Sequence, residues 1–310
     1  MPAPRAALSL LALGAACSEY KVVERGIVDT FEQGGEFPKA DVLFVVDDSS
    51  SMGEEQARLG ASFSSFTAVL GSTLADFRLA VTTTDPARPG FVGPVLTAET
   101  PALDDAFLAQ VLVGTGGART EEGLTQAVIA VQPSTSPGFL RDGARLVVIV
   151  FSDEDDHSPL PVQSYVDELQ SLAGAGGAFV HAIVGDLPAG CVAGVLAADA
   201  GPRYAEAATL TEGRRASICA PDHAAFLEQI AFDIAGWNDT FYLSRLPEPD
   251  TLLVHVDDVE IPERETDGWT WDIGENAIVF HGRAVPRPGM KVTVSYEVVE
   301  GAPEGEPPPG

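Results

Sequence analysis

The sequence predicts an α/β protein: a doubly wound, mostly parallel sheet followed by a small antiparallel β module. Three observations lead there. Apolar runs of strand length recur at 41–47, 146–151 and 178–184, as expected of strands buried on both faces. Segments with apolar residues at helical spacing separate them, and strands alternating with helices give a parallel sheet. After Thr240 the pattern changes to short alternating strands broken by turn signals, which give an antiparallel module.

The elements follow in order. Residues 17–39 are polar and contain glycine, and read as a tether. Asp41-Val-Leu-Phe-Val-Val-Asp47 is the first strand of the main domain and runs into Asp48-Ser49-Ser50-Ser51. A helix is predicted over about 54–70, because Leu59, Phe63, Phe66 and Leu70 share one face. Glu54 and Glu55 fall in its first turn, where the helix dipole favours acids. Arg78–Thr84 is β-branched and reads as a strand, and a Pro/Gly loop follows through Pro94.

A glycine-rich loop from Gly114 reaches Thr120 and opens a helix to about Val131. The strand at 146–151 ends in an acidic loop, Asp153-Glu-Asp-Asp-His157, ahead of a helix near 162–172. Strand 178–184 carries His181, which reads as a core residue rather than a ligand. A helix near 203–210, a short strand near 215–219 and a helix near 223–237 complete a domain spanning 40–238. The module at 240–299 contains a strand–turn–strand at 251–261, a hairpin around Gly274-Glu-Asn276 and a strand at 291–296. Trp269 and Trp271 fall on one face of that hairpin, a core arrangement. Residues 300–310 are rich in Pro and Gly and read as a disordered tail.

Composition bounds the partners. With 46 acidic residues against 18 basic ones, the net charge of −28 argues against nucleic acid or an anionic membrane surface. It suits cations and basic surfaces instead. The amino terminus has a basic Arg5, an apolar stretch from Ala6 to Ala16 and small residues before Cys17. That pattern is a signal peptide over 1–16, too short to span a bilayer.

Leu13-Gly-Ala-Ala-Cys17 resembles a bacterial lipobox, with Gly14 at a position where Leu or Val is usual. The resemblance implies lipidation at Cys17 and an envelope lipoprotein that meets the membrane only through that anchor. Simple cleavage and secretion is the alternative. Lipidation leaves Cys191 and Cys219 as an even pair, expected to form a disulfide in an oxidising compartment.

The chemistry concentrates where the first strand ends. Asp47, Ser49 and Ser51 place a carboxylate and two hydroxyls at alternate positions, at the edge of the sheet where ligands bind in such folds. Hard oxygens of this kind suit Mg²⁺. This Asp-x-Ser-x-Ser run resembles the metal-ion-dependent adhesion site of von Willebrand factor type A domains. The glycine-then-threonine loop at 114–124 resembles a second part of that site and implies Thr120 as a ligand. The strand ending in Ser152-Asp153 resembles the third and implies Asp153, although Glu154 stands where that family has glycine. The resemblance covers roughly 38–238. It implies a cation, Mg²⁺ with Mn²⁺ or Ca²⁺ as substitutes, that captures an Asp or Glu carboxylate of a partner protein.

Catalytic motifs are missing. Ser49 replaces the second Asp that an aspartyl phosphatase needs, and there is no nucleophile elbow, P-loop or zinc motif. The five histidines are scattered. The sequence therefore points to a non-enzymatic binding module in adhesion or envelope-complex assembly. Two other classes stay open. One is a scaffold whose cation only stabilises the fold, with Asp155 or Asp156 closing the last coordination position. The other is a metal-dependent hydrolase with an acidic-loop base.

Overall fold

The strand read over 41–47 is the middle of the protein's main sheet. The computed structural model describes residues 26–33, 39–72, 75–118, 120–194 and 196–298. In chain order it begins with β1 (Ile27–Glu32), β2 (Lys39–Val46), α1 (Gly53–Ser72), β3 (Asp76–Thr83), β4 (Leu96–Thr97) and α2 (Leu103–Val111). Then come α3 (Gly123–Val131), β5 (Arg145–Phe151), α4 (Val162–Ala173), β6 (Ala178–Val184), β7 (Cys191–Ala193) and β8 (Leu196–Ala198). The main domain closes with α5 (Pro202–Leu210), β9 (Arg215–Ser217) and α6 (Ala224–Ala235). The remaining strands are β10 (Thr240–Tyr242), β11 (Leu253–Val256), β12 (Val259–Ile261), β13 (Trp269–Asp272), β14 (Ala277–Phe280) and β15 (Lys291–Tyr296).

The main sheet has six strands in the order β4-β3-β2-β5-β6-β9, parallel except for the short β4. β2 pairs on both sides, with Val42 opposite Leu79 and Val147, so residues 40–46 are buried throughout. This is the physical basis of their unbroken apolar run. Helices α1, α2 and α6 cover one face with Phe63, Phe66, Phe107, Leu227 and Ile230. Helices α3, α4 and α5 cover the other with Leu124, Val128, Val166, Leu169 and Tyr204. The doubly wound sheet predicted from sequence is the one observed.

Helix α2 was not anticipated, although Leu103, Phe107 and Val111 recur at the four-residue spacing of one helix face. Phe107 is fully buried and stacks on Phe63 of α1. His181 is buried, as expected of a core residue, and its Nδ1 accepts the Arg214 N–H at 3.0 Å.

The C-terminal module consists of two small antiparallel sheets, β1-β15-β11-β12 and β10-β14-β13, around a shared apolar core. Here the tether expectation for 17–39 needs correction. Residues 27–32 form β1, paired residue for residue with 296–291 of β15. The reason is legible in retrospect: Ile27, Asp29 and Phe31 alternate with exposed Val28, Thr30 and Glu32. Phe31 packs on Phe241, with ring centroids 5.3 Å apart. The core of the module includes Phe232, Ala235 and Trp237 at the end of α6, so it rests against the amino edge of the main sheet. Trp269 is buried there and Trp271 is half-buried against the same core. The signal segment at 1–16, Cys17 and the tail at 300–310 lie outside the described residues. No helix among the described residues is long and apolar enough to cross a membrane.

Candidate metal site at the carboxyl edge of the sheet

Backbone chemistry assembles the site. Asp47 follows β2, and its N–H still bonds Phe151 O at 3.0 Å, extending the parallel pairing by one residue. The chain then turns because Asp47 Oδ1 accepts the Ser49 N–H at 2.7 Å, a local competition that ends the strand. That turn brings Ser49 Oγ within 3.2 Å of Ser51 Oγ. From the neighbouring strand end, Ser152 donates its hydroxyl to Asp47 Oδ2 at 2.6 Å. Asp153 follows at once, and both serine hydroxyls lie against its carboxylate.

Four of the residues singled out in the sequence, Asp47, Ser49, Ser51 and Asp153, therefore meet at one point. Thr120 does not join them in this conformation: it is exposed and makes no hydrogen bond among the described residues. The glycine loop instead brings Gly117, whose N–H bonds Asp48 O at 2.8 Å. A β-carbon at Gly117 would sit 2.1 Å from Asp48 Oδ1, so only glycine allows this approach. Gln56, near the start of α1, ties the loop down further by donating to Asp47 O at 2.9 Å and Gly114 O at 2.8 Å.

Glu121, one residue beyond Thr120, is fully buried. Its carboxylate contacts the Thr84 hydroxyl, and its backbone O accepts the His157 N–H at 2.6 Å. Sequence reasoning passed over it because acids after a glycine loop usually face water at a helix start. The signal was present in an apolar setting, since Leu124, Ala127 and Val128 follow at once. Arg88 was also missed. It reaches from the Pro/Gly loop to Asp48 at 2.5 Å and to Val113 O at 3.2 Å.

Burial raises the Asp47 carboxyl to about 6, opposed by the Ser152 hydroxyl and the Ser49 N–H and helped by nearby Asp153. Burial likewise raises Asp153, while the hydroxyls of Ser51 and Ser49 pull it down. Glu121 is pushed up to about 8, first by burial and then by Asp47. Buried oxygens without a hydrogen-bond partner cluster here: Asp153 Oδ1, Asp48 Oδ1, Glu55 Oε2 and Glu121 Oε1. Buried polar atoms are normally satisfied, so such a group of acceptors calls for a positive ligand. Two carboxylates with two facing hydroxyls fit a hard divalent cation. No group of three or more carboxylate, imidazole or thiol side chains among the described residues is arranged to hold a metal alone. The hydroxyls are therefore integral to the donor set.

The acidic loop behind the site is engaged rather than solvated. Asp156 is buried and accepts Arg203 Nε at 3.0 Å and the Leu124 N–H at 3.1 Å. Asp155 accepts the Arg203 N–H at 3.0 Å. On the other side the Cys191–Cys219 disulfide is formed, as expected from the sequence. Its hairpin, β7 and β8, borders a hollow of 420 Å³ whose opposite wall is Ser51, Asp153 and Glu154.

No protein-family model matches the chain, and no curated protein does. The chain is similar in part to several solved structures. A von Willebrand factor type A protein from Catenulispora acidiphila is 14% identical with a TM-score of 0.44, over 90% of this chain and 66% of that one. The pilus adhesin SpaC from Lactobacillus rhamnosus GG, in an open conformation, is 13% identical with a TM-score of 0.46, over 87% and 40%. Proximal thread matrix protein 1 from the mussel byssus is 15% identical with a TM-score of 0.39, over 69% and 51%. The chain thus spans about two thirds of the first, 40% of the second and about half of the third.

Proposed function

We propose that this protein is a cation-dependent protein-binding module of a bacterial envelope, active in adhesion or complex assembly. Asp47, Ser49, Ser51 and Asp153 would hold Mg²⁺, or Mn²⁺ or Ca²⁺ in its place, with Thr120 available from the loop beside them. The bound cation supplies a strong electrostatic anchor that exchanges a water for a partner's Asp or Glu oxygen. Ser152 and the Ser49 N–H hold the Asp47 carboxylate in position, and Gln56 and Gly117 fix the loop next to it. The observation that carries the reading is Asp153 Oδ1, buried, without a hydrogen-bond partner and bordering an open hollow.

The scaffold alternative, with the cation closed by Asp155 or Asp156, is weakened because both carboxylates are held by Arg203. No catalytic base is proposed. His181 and His223 are buried, which lowers them to about 3 and about 4 and keeps both neutral. The amino-terminal pattern supports lipid anchoring at Cys17, with secretion as the alternative. The test is a pull-down from envelope extract with Mg²⁺, with chelator, and with Asp153→Ala as bait. Prey held only by the wild type in Mg²⁺ supports the proposal. Prey indifferent to both changes would refute it.

A further inference from the structure

The C-terminal module leaves one long sheet edge open. Strand β1 has six residues and lies at the end of its sheet, beside β15. Every other edge strand among the described residues has four residues or fewer. Short edges discourage the addition of a foreign strand, and so do Pro, Lys and bulges. β1 has none of these guards: its sequence is Ile-Val-Asp-Thr-Phe-Glu, and its register with β15 runs unbroken.

The phase of the ladder decides which backbone groups are open. Gln33 N–H donates to Met290 O at 2.9 Å, and on the far side of β15 Asp257 N–H donates to Lys291 O at 2.7 Å. Both bonds place the odd-numbered residues of β1 in the hydrogen-bonded pairs with β15. The N–H and C=O groups of Val28, Thr30 and Glu32 therefore point away from the sheet, and none has a hydrogen-bond partner among the described residues. The inner face holds the strand in place. Phe31 packs on Phe241, Asn238 N–H donates to Gln33 Oε1 at 3.0 Å, and Ser244 N–H donates to Asp29 Oδ2 at 2.8 Å. The open edge is thus presented on a fixed strand, which lowers the cost of pairing with it.

Charge says what fits. Asp29 and Glu32 are the only charged residues of β1. Pairing with a second copy would bring four carboxylates, two from each strand, into one ladder with no cation between them. The net charge of −28 on each copy adds to that repulsion. The neighbour already in place shows the complementary choice: β15 sets Lys291 opposite Glu32 and Thr293 opposite Thr30. Val28, 59% exposed, supplies apolar area at the other end of the edge.

We propose that the free edge of β1 takes up an extended, antiparallel strand of another protein, with Lys or Arg opposite Glu32 and β-branched or small polar residues opposite Thr30 and Val28. The contact is made on the C-terminal module, away from Asp47 and Asp153, and needs no cation.

The test uses the full-length protein and a fluorescein-labelled, capped peptide with the sequence of β15, Lys-Val-Thr-Val-Ser-Tyr, followed by anisotropy. The peptide should bind saturably, equally in Mg²⁺ and in EDTA, and slow amide hydrogen exchange at Val28, Thr30 and Glu32. Thr30→Pro removes one outward N–H at a position that donates nothing to β15. Circular dichroism should therefore be unchanged while affinity falls about tenfold. Glu32→Lys removes no backbone group and should reverse the charge preference. A Glu-Val-Thr-Val-Ser-Tyr peptide should then bind about two- to fivefold more tightly than the Lys peptide. No saturable binding at millimolar peptide, exchange protection elsewhere, or affinity unaffected by both variants would overturn the proposal. So would dimers of the wild-type protein that Thr30→Pro abolishes, since these would give the edge to a second copy. None of these outcomes bears on the cation-dependent function.

Discussion

Ser152 and Asp47 come from two adjacent parallel strands and meet at 2.6 Å, so the residue preceding one candidate ligand orients the other. The hydroxyl also accepts the Glu154 N–H at 3.2 Å, which makes it a relay between the two strand ends. Ser152→Ala removes the donor and leaves Asp47 Oδ2 buried. We expect about 1–3 kcal/mol lower stability in chelator. Mg²⁺ affinity should fall about 10- to 100-fold, as for lost outer-shell partners. Calorimetric titration with Mg²⁺, alongside thermal unfolding, reads both.

Gly117 permits the glycine loop to touch Asp48. Gly117→Ala would force a β-carbon against Asp48 Oδ1 and O, at 2.1 and 2.9 Å, so the loop must retreat. The main sheet does not depend on this contact. Far-ultraviolet circular dichroism should therefore be unchanged while Mg²⁺ affinity drops at least tenfold. Unchanged affinity would show that the loop's position does not matter to the cation.

Arg203 holds the acidic loop by bonding Asp156 and the backbone O of Ser158 and Leu160. Arg203→Ala leaves Asp156 as a buried carboxylate without its counterion. The expected cost is about 3–5 kcal/mol, measured by urea denaturation. The double change Arg203→Ala/Asp156→Asn should recover part of that loss.

The pH dependence of the metal-free protein follows from Glu121. Its folded-state value near 8 lies above the unfolded value of 4.5, so the folded protein keeps a proton that the unfolded chain gives up. Stability therefore falls as pH rises through that window. His181 and His223 act in the opposite sense, but their contributions are complete above the unfolded value of 6.5. Asp47, raised only to about 6, has also finished titrating. Between pH 6.5 and 8 the chelated protein should lose roughly 2 kcal/mol. Glu121→Gln should flatten this slope, and saturating Mg²⁺ should reduce it. A flat profile in the chelated wild type would contradict the assignment.

The main sheet was legible because a strand buried on both faces must be apolar throughout, as β2, β5 and β6 are. Helices α1, α3 and α6 were legible from spacing for the same reason, burial on one side. The candidate site was readable where its residues lie close in sequence, at 47–51 and 152–153. What escaped depends on contacts over long separations. Arg88 meets Asp48 across 40 residues, and Arg203 meets Asp156 across 47. β1 escaped because a half-exposed edge strand carries only a weak alternation, one that a polar composition hides.

Among the described residues, the first strand pairs with the last. Among those residues β1 pairs only with β15, and Asp29 accepts the Tyr296 hydroxyl at 2.6 Å across 267 residues. The module therefore cannot close until residues 291–296 are available, whereas the main sheet builds from neighbours closer in sequence. A chain threaded amino terminus first through a translocation channel would carry this segment unpaired until the last strand arrived. Loss of either strand would leave the other without its antiparallel partner.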